Sequence, residues 1–207
     1  GVHYHICHVS CKESVRVIRD AKAAGIHVTA EVTPHHLLLT DQDIPKDHGH
    51  WKMNPPLRAE EDRQALIEGL LDGTIDFIAT DHAPPTKQEK NNGSLNAPSG
   101  SVGLETAFPL MYTYFVKENI MTLEQLIQFM SIKPAQIFQL PKNNLSVGDP
   151  ADLAVFNIKD HKVIDAQQFN SKGTNTPFDQ WSVFGMPVMT FVSGICVWKK
   201  DNQRKDQ

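Results

Sequence analysis

Short apolar runs alternate with amphipathic segments along the first part of the chain. The runs cover about residues 2–9, 27–32 and 75–79, and each ends in polar side chains or proline. The continuous apolar run at residues 75–79, bounded by turn residues, is typical of a strand buried on both faces of a parallel sheet, whereas residues 2–9 alternate apolar with polar or aromatic residues. Helical periodicity covers residues 11–24 and 60–71 between them. This order of strands and helices predicts an α/β fold with a parallel sheet.

Local signals set the predicted ends of these elements. Ser10 and Glu13 have the spacing of a capping box, in which each side chain bonds the other residue's backbone N–H. Gly25 stands where a helix ends in the left-handed conformation. Pro84 and Pro85 cannot extend a sheet, so the third strand should end near Thr80.

The pattern changes near residue 140. Before it, we predict a helix over residues 103–116 interrupted by Pro109, and a helix capped by Thr122. After it, residues 151–158 have the pattern of a strand, and residues 188–198 that of a hairpin turning at Ser193-Gly194. We therefore predict two domains, an α/β domain over residues 1–140 and a β-rich segment over residues 141–207.

The predicted strands are too few to close an eight-stranded α/β barrel, which takes about 250 residues. They form either a small open sheet or the C-terminal part of a barrel. The chain also opens in strand-like alternation without an initiating Met. We expect it to begin in the middle of a longer sequence.

Composition is that of an ordinary globular protein. The 207 residues are 40% hydrophobic and 21% charged, with a formal net charge of −4. The mild acidity argues against nucleic-acid binding, which needs a basic face. No apolar run approaches the roughly 18 residues of a membrane span. Cys7, Cys11 and Cys196 are too few and too scattered for a disulfide framework, so we interpret them as reduced thiols and predict a cytoplasmic location.

Candidate metal-binding side chains follow two of the predicted strands. His8 ends the first and Asp81 the third, and the carboxyl ends of parallel strands meet at one edge of a sheet. The pair suits a divalent metal such as zinc. Structural interpretations of these residues stay open. Asp81 would then be the N-cap of a helix, and His8 or His5 would be a packing residue. His35 and His36 are adjacent, so on a strand they would point to opposite faces.

Six ordered motifs carry a family resemblance. They are CHVS at residues 7–10, EVTPHH at 31–36, MNPPLR at 53–58, ATDHAP at 79–84 followed by Lys90, GLET at 103–106 and VGDPADL at 147–153. They span most of the chain. In this order they resemble the dihydroorotases, in their bacterial long form, within the amidohydrolase superfamily.

The resemblance implies a (β/α)8 TIM-type barrel, with the present strands in sixth, seventh and eighth place, followed by part of a small β-sandwich. It implies two zinc ions, with His8 as a ligand and Asp81 as ligand and catalytic aspartate. Asn54 matches a substrate-binding asparagine, and Ser99 and Gly100 match a loop whose backbone meets the substrate ring. The implied reaction interconverts N-carbamoyl-L-aspartate and (S)-dihydroorotate. A homodimer and an association with aspartate transcarbamoylase are the implied assemblies.

Two residues, Pro85 and Ser99, depart from the family pattern, and one set of family residues is absent; Ser99 stands where a bulkier residue is common. Pro85 stands where the family usually has a substrate-contacting His, and proline offers neither a side-chain donor nor an N–H. The remaining zinc ligands of the family would lie before Gly1, so we expect this chain by itself to be inactive. Two alternatives stay open: another cyclic amidase (an allantoinase or a hydantoinase), or a non-catalytic dihydroorotase-like scaffold subunit. The MNPPLR and GLET motifs favour dihydroorotase, whereas Pro85 favours the scaffold.

Overall fold

A parallel sheet organises the first half of the protein. The computed structural model describes residues 1–45, 49–141 and 145–200. The sheet contains, in spatial order, β1 (Tyr4–Ile6), β2 (Val28–Val32) and β3 (Phe77–Ile78). Both strand pairs are parallel. The predicted parallel arrangement is therefore confirmed, with shorter strands than the apolar runs.

The helices flank and follow this sheet. Within the described residues the α-helices are α1 (Lys12–Ala23), α2 (Pro34–Leu38), α3 (Glu60–Leu71), α4 (Lys87–Lys90), α5 (Gly93–Asn96), α6 (Ala107–Met111), α7 (Leu123–Ile127) and α8 (Lys133–Ile137). Single 3-10 turns cover Asp41–Asp43, Gly49–Trp51 and Ala166–Gln168, and π-helical turns cover Tyr112–Val116 and Gln128–Ile132. The span predicted for α3 is confirmed at both ends.

The first helix has the predicted span but not the predicted cap. α1 begins at Lys12, and the residue before it makes no side-chain capping bond. The capping box expected from Ser10 and Glu13 is therefore wrong. The Asp62 carboxylate of α3 accepts the Lys12 N–H at 2.9 Å instead. Gly25 ends the helix in the left-handed region, with a φ of +75°, as predicted.

The helix predicted over residues 103–116 begins later than expected. Gly103 starts a turn whose carbonyl accepts the Ala107 N–H at 3.0 Å, and α6 begins only at Ala107. Pro109 thus lies in the first helical turn, where backbone N–H groups have no partner in the helix. It does not interrupt the helix, contrary to the prediction.

The cap predicted at Thr122 is confirmed. Its hydroxyl accepts the Gln125 N–H at 3.2 Å, and the Gln125 amide oxygen accepts the Thr122 N–H at 2.8 Å. This reciprocal pair satisfies two N–H groups that a helix start leaves without partners.

The last third of the chain is rich in antiparallel strands. They are β4 (Leu153–Asn157), β5 (Lys162–Val163), β6 (Ser182–Val183), β7 (Met186–Val192) and β8 (Ile195–Lys199). One sheet has the order β4-β7-β8, and β5 pairs with β6. The predicted hairpin is confirmed: Ser193 and Gly194 have φ values of +49° and +81°, as a type I′ turn requires.

One face of the parallel sheet carries the core. Val28, Ala30 and Val32 are buried, whereas Thr29 and Glu31 between them are only partly buried. The burial on both faces predicted for the run at residues 75–79 holds in β3, where the adjacent Phe77 and Ile78 are both buried, whereas β2 alternates. Its alternation arises because successive side chains point to opposite faces, and the core packs against one of them.

A second apolar cluster joins the two halves of the chain. Leu39, Met53 and Leu110 pack with Ile164 and Phe178. In addition, the rings of Phe108 and Phe156 stack with centroids 3.9 Å apart. Among the described residues, no helix has both the length and the apolar character needed to cross a membrane.

Candidate active site

The carboxyl ends of β1, β2 and β3 meet at one edge of the sheet. Val9 N–H, beyond β1, bonds the Glu31 carbonyl at 2.9 Å, and Ala79 N–H, beyond β3, bonds the Val32 carbonyl at 3.0 Å. These bonds keep the chain in register just after His8 and just before Asp81. The structure thus brings the two predicted ligands to the same edge.

His8 and Asp81 share an unusual backbone conformation. Their φ values are +39° and +46°, in the left-handed region that few residues with a side chain adopt. Such conformations cost about 1–3 kcal/mol and concentrate at functional sites. The two strand ends are therefore held in strained turns at the positions that the motifs single out.

One ring nitrogen of His8 has no hydrogen-bond partner among the described residues. This atom, Nδ1, is buried. The His8 N–H donates to the Glu31 carboxylate at 3.4 Å, a long bond that helps to hold the turn. A buried ring nitrogen without a partner is costly unless a bound ion, a water or a further residue satisfies it. This orphaned nitrogen is what a metal-binding histidine requires.

A second group of ligand atoms lies on the open face of the sheet. One donor atom each from His5, Cys7 and Glu31 lies within 4.8 Å of the other two, close enough to hold a metal ion. His5 also stacks on Phe77, with ring centroids 5.2 Å apart, so its expected packing role is confirmed. Partial burial, then the negative charges of Glu31 and Asp81, raise the pKa of the Cys7 thiol. The same charges attract cations to this face.

The sequence-based interpretation missed this group. His5 and Cys7 are two positions apart, which on a strand means the same face. Glu31 joins them only through the register of β1 and β2, in which His5 lies opposite Thr29. The alternation along β1 could have placed His5 and Cys7 on one face. The pairing register of β1 and β2, which adds Glu31, was not available from the sequence.

The environment of His35 and His36 differs from the prediction. Both residues lie in the short helix α2 rather than on a strand, and their ring centroids are 4.4 Å apart. The expectation that they point to opposite faces is therefore wrong, because the strand ends at Val32 and Pro34 starts a helical turn.

The two imidazoles are buried and neutral. His36 Nε2–H donates to the Pro55 carbonyl at 3.0 Å, and its Nδ1 accepts the Thr33 hydroxyl at 2.8 Å. Burial lowers the pKa of His36 to about 4. Burial, then the neighbouring imidazoles of His36 and His8, lowers the pKa of His35 well below its usual value. His35 Nε2 is buried without a partner, a second orphaned nitrogen near His8.

His82 has a structural role beside Asp81. Its Nδ1 accepts the N–H groups of Gly103 and Leu104 at 3.2 and 3.3 Å. Accepting both bonds requires a bare Nδ1, so the proton is on Nε2. The ring therefore fastens the GLET turn to the end of the third strand.

The residues predicted to bind substrate lie on neighbouring loops. Asn54 is exposed, and Pro55 beside it is held by His36. Gly100 is buried with a φ of +112°, and a Cβ there would lie 2.5 Å from the Ala83 Cβ. Its N–H donates to the Lys52 carbonyl at 2.9 Å. The Gly100 N–H is thus already used within the chain, and Ser99, which is partly exposed, is the better placed of the two for a ligand.

Pro85 packs against the last third of the chain. A Cβ on the buried Gly173 would lie 2.7 Å from the Pro85 carbonyl oxygen and 2.8 Å from the Pro84 Cβ. The Pro84-Pro85 segment is therefore in tight contact with the segment around Gly173. Pro85 itself is partly exposed.

Comparisons with known proteins agree with this geometry. The model of the Amidohydrolase family matches residues 1–197. Dihydroorotases from Geobacillus sp. (strain WCH70) and from Enterococcus faecalis (strain ATCC 700802 / V583) are each 62% identical over 203 residues, which cover 98% of this chain and 48% of the relative. The chain thus spans about half the length of the curated relatives that it matches. The predicted resemblance to dihydroorotases is confirmed.

Solved structures show the same fold. L-hydantoinase (dihydropyrimidinase) from Arthrobacter aurescens superposes with a TM-score of 0.89 at 35% identity, over 97% of this chain and 46% of that structure. Dihydropyrimidinase from Brevibacillus agri NCHU1002 superposes with a TM-score of 0.86 at 24% identity, which supports the fold alone. The parallel strands and their helices are accordingly part of the amidohydrolase barrel, and the chain belongs to the amidohydrolase family.

Proposed function

We propose that these residues belong to a zinc-dependent dihydroorotase, which interconverts N-carbamoyl-L-aspartate and (S)-dihydroorotate in de novo pyrimidine synthesis. The observation that carries the proposal is the 62% identity to dihydroorotases along 98% of the chain. The activity is proposed for a polypeptide in which these residues are joined by the rest of the barrel. The isolated chain is expected to be inactive, because His8 and Asp81 are the only zinc ligands that the resemblance assigns to it.

The donor set of the proposed site suits zinc. His8 has a ring nitrogen without a partner, and imidazole and carboxylate are common zinc ligands. Zinc, when bound, would polarise the ring carbonyl and make the attacking water more acidic. His8 and Asp81 would hold it at the edge where their strained turns direct them.

Asp81 has the proposed role of proton carrier. Its carboxylate would take a proton from the attacking water and deliver it to the leaving ring nitrogen. The exposed Asn54 would donate hydrogen bonds to the substrate carboxylate, and the Ser99–Gly100 loop would contact the ring, mainly through the backbone of Ser99 because the Gly100 N–H and carbonyl are already bonded within the chain. Pro85 would add only an apolar or carbonyl contact.

The assembly is also part of the proposal. We infer a barrel segment over residues 1–140 and a β-rich accessory segment over residues 141–207, the latter belonging to a β-sandwich. A cytoplasmic homodimer, and an association with aspartate transcarbamoylase, are the assemblies that the resemblance suggests.

The alternative functions differ from dihydroorotase either in their substrate or in having no catalytic activity. A hydantoinase or an allantoinase would act on another cyclic amide, and the sequence identities favour dihydroorotase, with 62% to a dihydroorotase against 35% to L-hydantoinase. A scaffold subunit would be inert with every cyclic amide. Pro85 remains the feature that favours the scaffold.

The test measures turnover and metal content of the polypeptide that carries this chain within a complete barrel. Dihydroorotate, N-carbamoyl-L-aspartate, hydantoin and allantoin are offered in turn. We expect turnover of the first two and about two zinc ions per polypeptide. Turnover of hydantoin or allantoin alone, or of none of the four, would refute the proposal.

Two variants test the roles of the ligands. His8→Ala and Asp81→Asn should each lower kcat at least about 100-fold, and His8→Ala should also lower zinc content. His27→Gln is the matched control, because His27 is exposed and precedes β2 at its amino end. A variant of Asp81 with full activity would contradict the catalytic role.

A further inference from the structure

Lys90 is the one charged residue among the large, fully buried side chains in the described part of the molecule. It is 1% exposed and ends helix α4, whose first turn Thr86 and Glu89 cap reciprocally. Lysine is almost never fully buried unless it is paired, because its ammonium loses hydration. Over residues 1–45, 49–141 and 145–200, no carboxylate forms an ion pair with Lys90. Something other than a counter-charge must compensate for its burial.

Backbone carbonyls from two loops take that role. Lys90 Nζ donates to the Pro98 carbonyl at 3.0 Å and, through a longer bond, to the Lys52 carbonyl at 3.4 Å. Pro98 directly precedes Ser99, and Lys52 lies two positions before Asn54. One ammonium group therefore links the two loops that carry the predicted substrate-binding residues.

Further bonds brace the same junction. The Gly100 N–H donates to the Lys52 carbonyl at 2.9 Å, so this oxygen is shared with Lys90. The side chain of the buried Asn175 donates from Nδ2 to the Gly100 carbonyl at 2.9 Å. The backbone carbonyl of Asn175 accepts the Val102 N–H, also at 2.9 Å. The loop is held from one side by Lys90 and from the other by Asn175.

The main chain of Lys90 is equally confined. A Cβ on Gly49 would lie 2.3 Å from the Lys90 carbonyl oxygen and 2.7 Å from the Ala97 Cβ. Only a glycine lets the two backbones approach this closely. The close contact with Gly49 thus holds the end of α4 in place, and the Lys90 side chain extends from it to the two loops.

The ammonium keeps its charge near neutral pH. Burial, and then the positive charge of Lys52, lowers the pKa of Lys90 to about 8. A charged donor makes stronger hydrogen bonds than a neutral one. Its bonds to the two carbonyls are therefore charge-assisted at physiological pH.

We propose that Lys90 is a positioning residue, whose ammonium sets the spacing between the Asn54 loop and the Ser99–Gly100 loop and thereby controls substrate affinity. The link between the loops follows from the geometry alone. Its effect on substrate rests on the proposed dihydroorotase function.

The experiment compares Lys90→Met and Lys90→Arg with the parent, in the polypeptide that carries the complete barrel. Lys87→Met is the matched control, because Lys87 is an exposed lysine on the same helix. The first measurement is amide hydrogen exchange of the peptide that contains Gly100. In Lys90→Met we expect this exchange to accelerate at least about tenfold, because the loss of a charged hydrogen-bond donor frees the loop. Lys90→Arg, which keeps the charge and the donors, should change it less.

The second measurement is the kinetics with dihydroorotate. Lys90→Met should raise KM about tenfold or more while kcat at saturation and zinc content change less than about threefold, since among the described residues the Lys90 ammonium bonds backbone carbonyls and not His8 or Asp81. An unspecific loss of folding would instead lower kcat and zinc content together. If Lys90→Met does not fold, Lys90→Gln replaces it, with the same expected results.

The outcomes separate this inference from the proposed function. Accelerated exchange in a protein that turns over no dihydroorotate would support the loop link and refute the dihydroorotase proposal. Unchanged exchange at Gly100 in Lys90→Met would overturn the inference, whatever the enzyme's activity. Unchanged KM in an active enzyme would likewise overturn the control of substrate affinity.

Discussion

The carboxylate of Asp62 on α3 accepts the backbone N–H of Lys12 at 2.9 Å, and so caps a helix that begins 50 positions earlier. Asp62 is 9% exposed, so the bond is largely shielded from water. The interaction satisfies a first-turn N–H of α1 with a negative charge, which the positive end of the helix dipole favours. It also fastens α1 to α3 on the core side of the parallel sheet.

Replacement of Asp62 should therefore destabilise the fold more than replacement of the residues expected to form the cap. We expect Asp62→Ala to lower the free energy of unfolding by about 1–2 kcal/mol, as the loss of a helix cap does. Glu13→Ala is the control and should change it by less than about 0.5 kcal/mol, because Glu13 is exposed. Urea unfolding measures both values. Equal effects of the two substitutions would contradict the cap.

Stability should fall on mild acidification. The pKa of His36 is about 4 in the folded protein and near 6.5 when unfolded. The unfolded state therefore binds more protons between these values, and stability is lost as the pH falls through this window. At about pH 5 the loss from His36 should be about 2 kcal/mol relative to about pH 7. His35, whose pKa is also lowered, acts in the same direction.

Urea unfolding at the two pH values tests this linkage. His36→Gln removes one of the titrating groups, so its stability should depend less on pH than that of the parent, even if it is lower throughout. An identical pH dependence in the two proteins would show that His36 is not the group responsible.

Two glycines with positive φ should respond differently to a methyl group. Gly25 has open space around it, whereas a Cβ on Gly100 would meet the Ala83 Cβ at 2.5 Å. We expect Gly25→Ala to cost about 1 kcal/mol from backbone strain alone. Gly100→Ala should cost a further 1–3 kcal/mol or so because of the collision. Thermal or urea unfolding measures both losses, and equal losses would argue against the collision at Gly100.

Pro85→His tests why this chain departs from the family pattern. If the proposed dihydroorotase is active with a weakened substrate contact, a histidine should lower the KM for dihydroorotate by about tenfold, the value of one hydrogen bond to a charged group. Pro85→Ala is the control for the removal of proline and should leave KM near that of the parent. Steady-state kinetics measures both. A protein inert in all three forms would support the scaffold alternative.

Short-range features of this protein follow from the sequence by itself. The bounds of α3, the Thr122 cap and the Ser193-Gly194 turn were predictable, because periodicity, capping and turn conformation depend on residues a few positions apart. The motifs also indicated His8 and Asp81, and strand order alone brings the ends of parallel strands to one edge.

Only the tertiary structure decided the contacts between distant residues. The Asp62 cap of α1 and the group of His5, Cys7 and Glu31 depend on packing and strand register, which no local pattern encodes. The burial of Lys90 is the clearest case, since a lysine in a polar segment of the sequence normally remains in water. Its partners are backbone carbonyls, which every residue carries, so the sequence does not distinguish the two that the fold brings within reach.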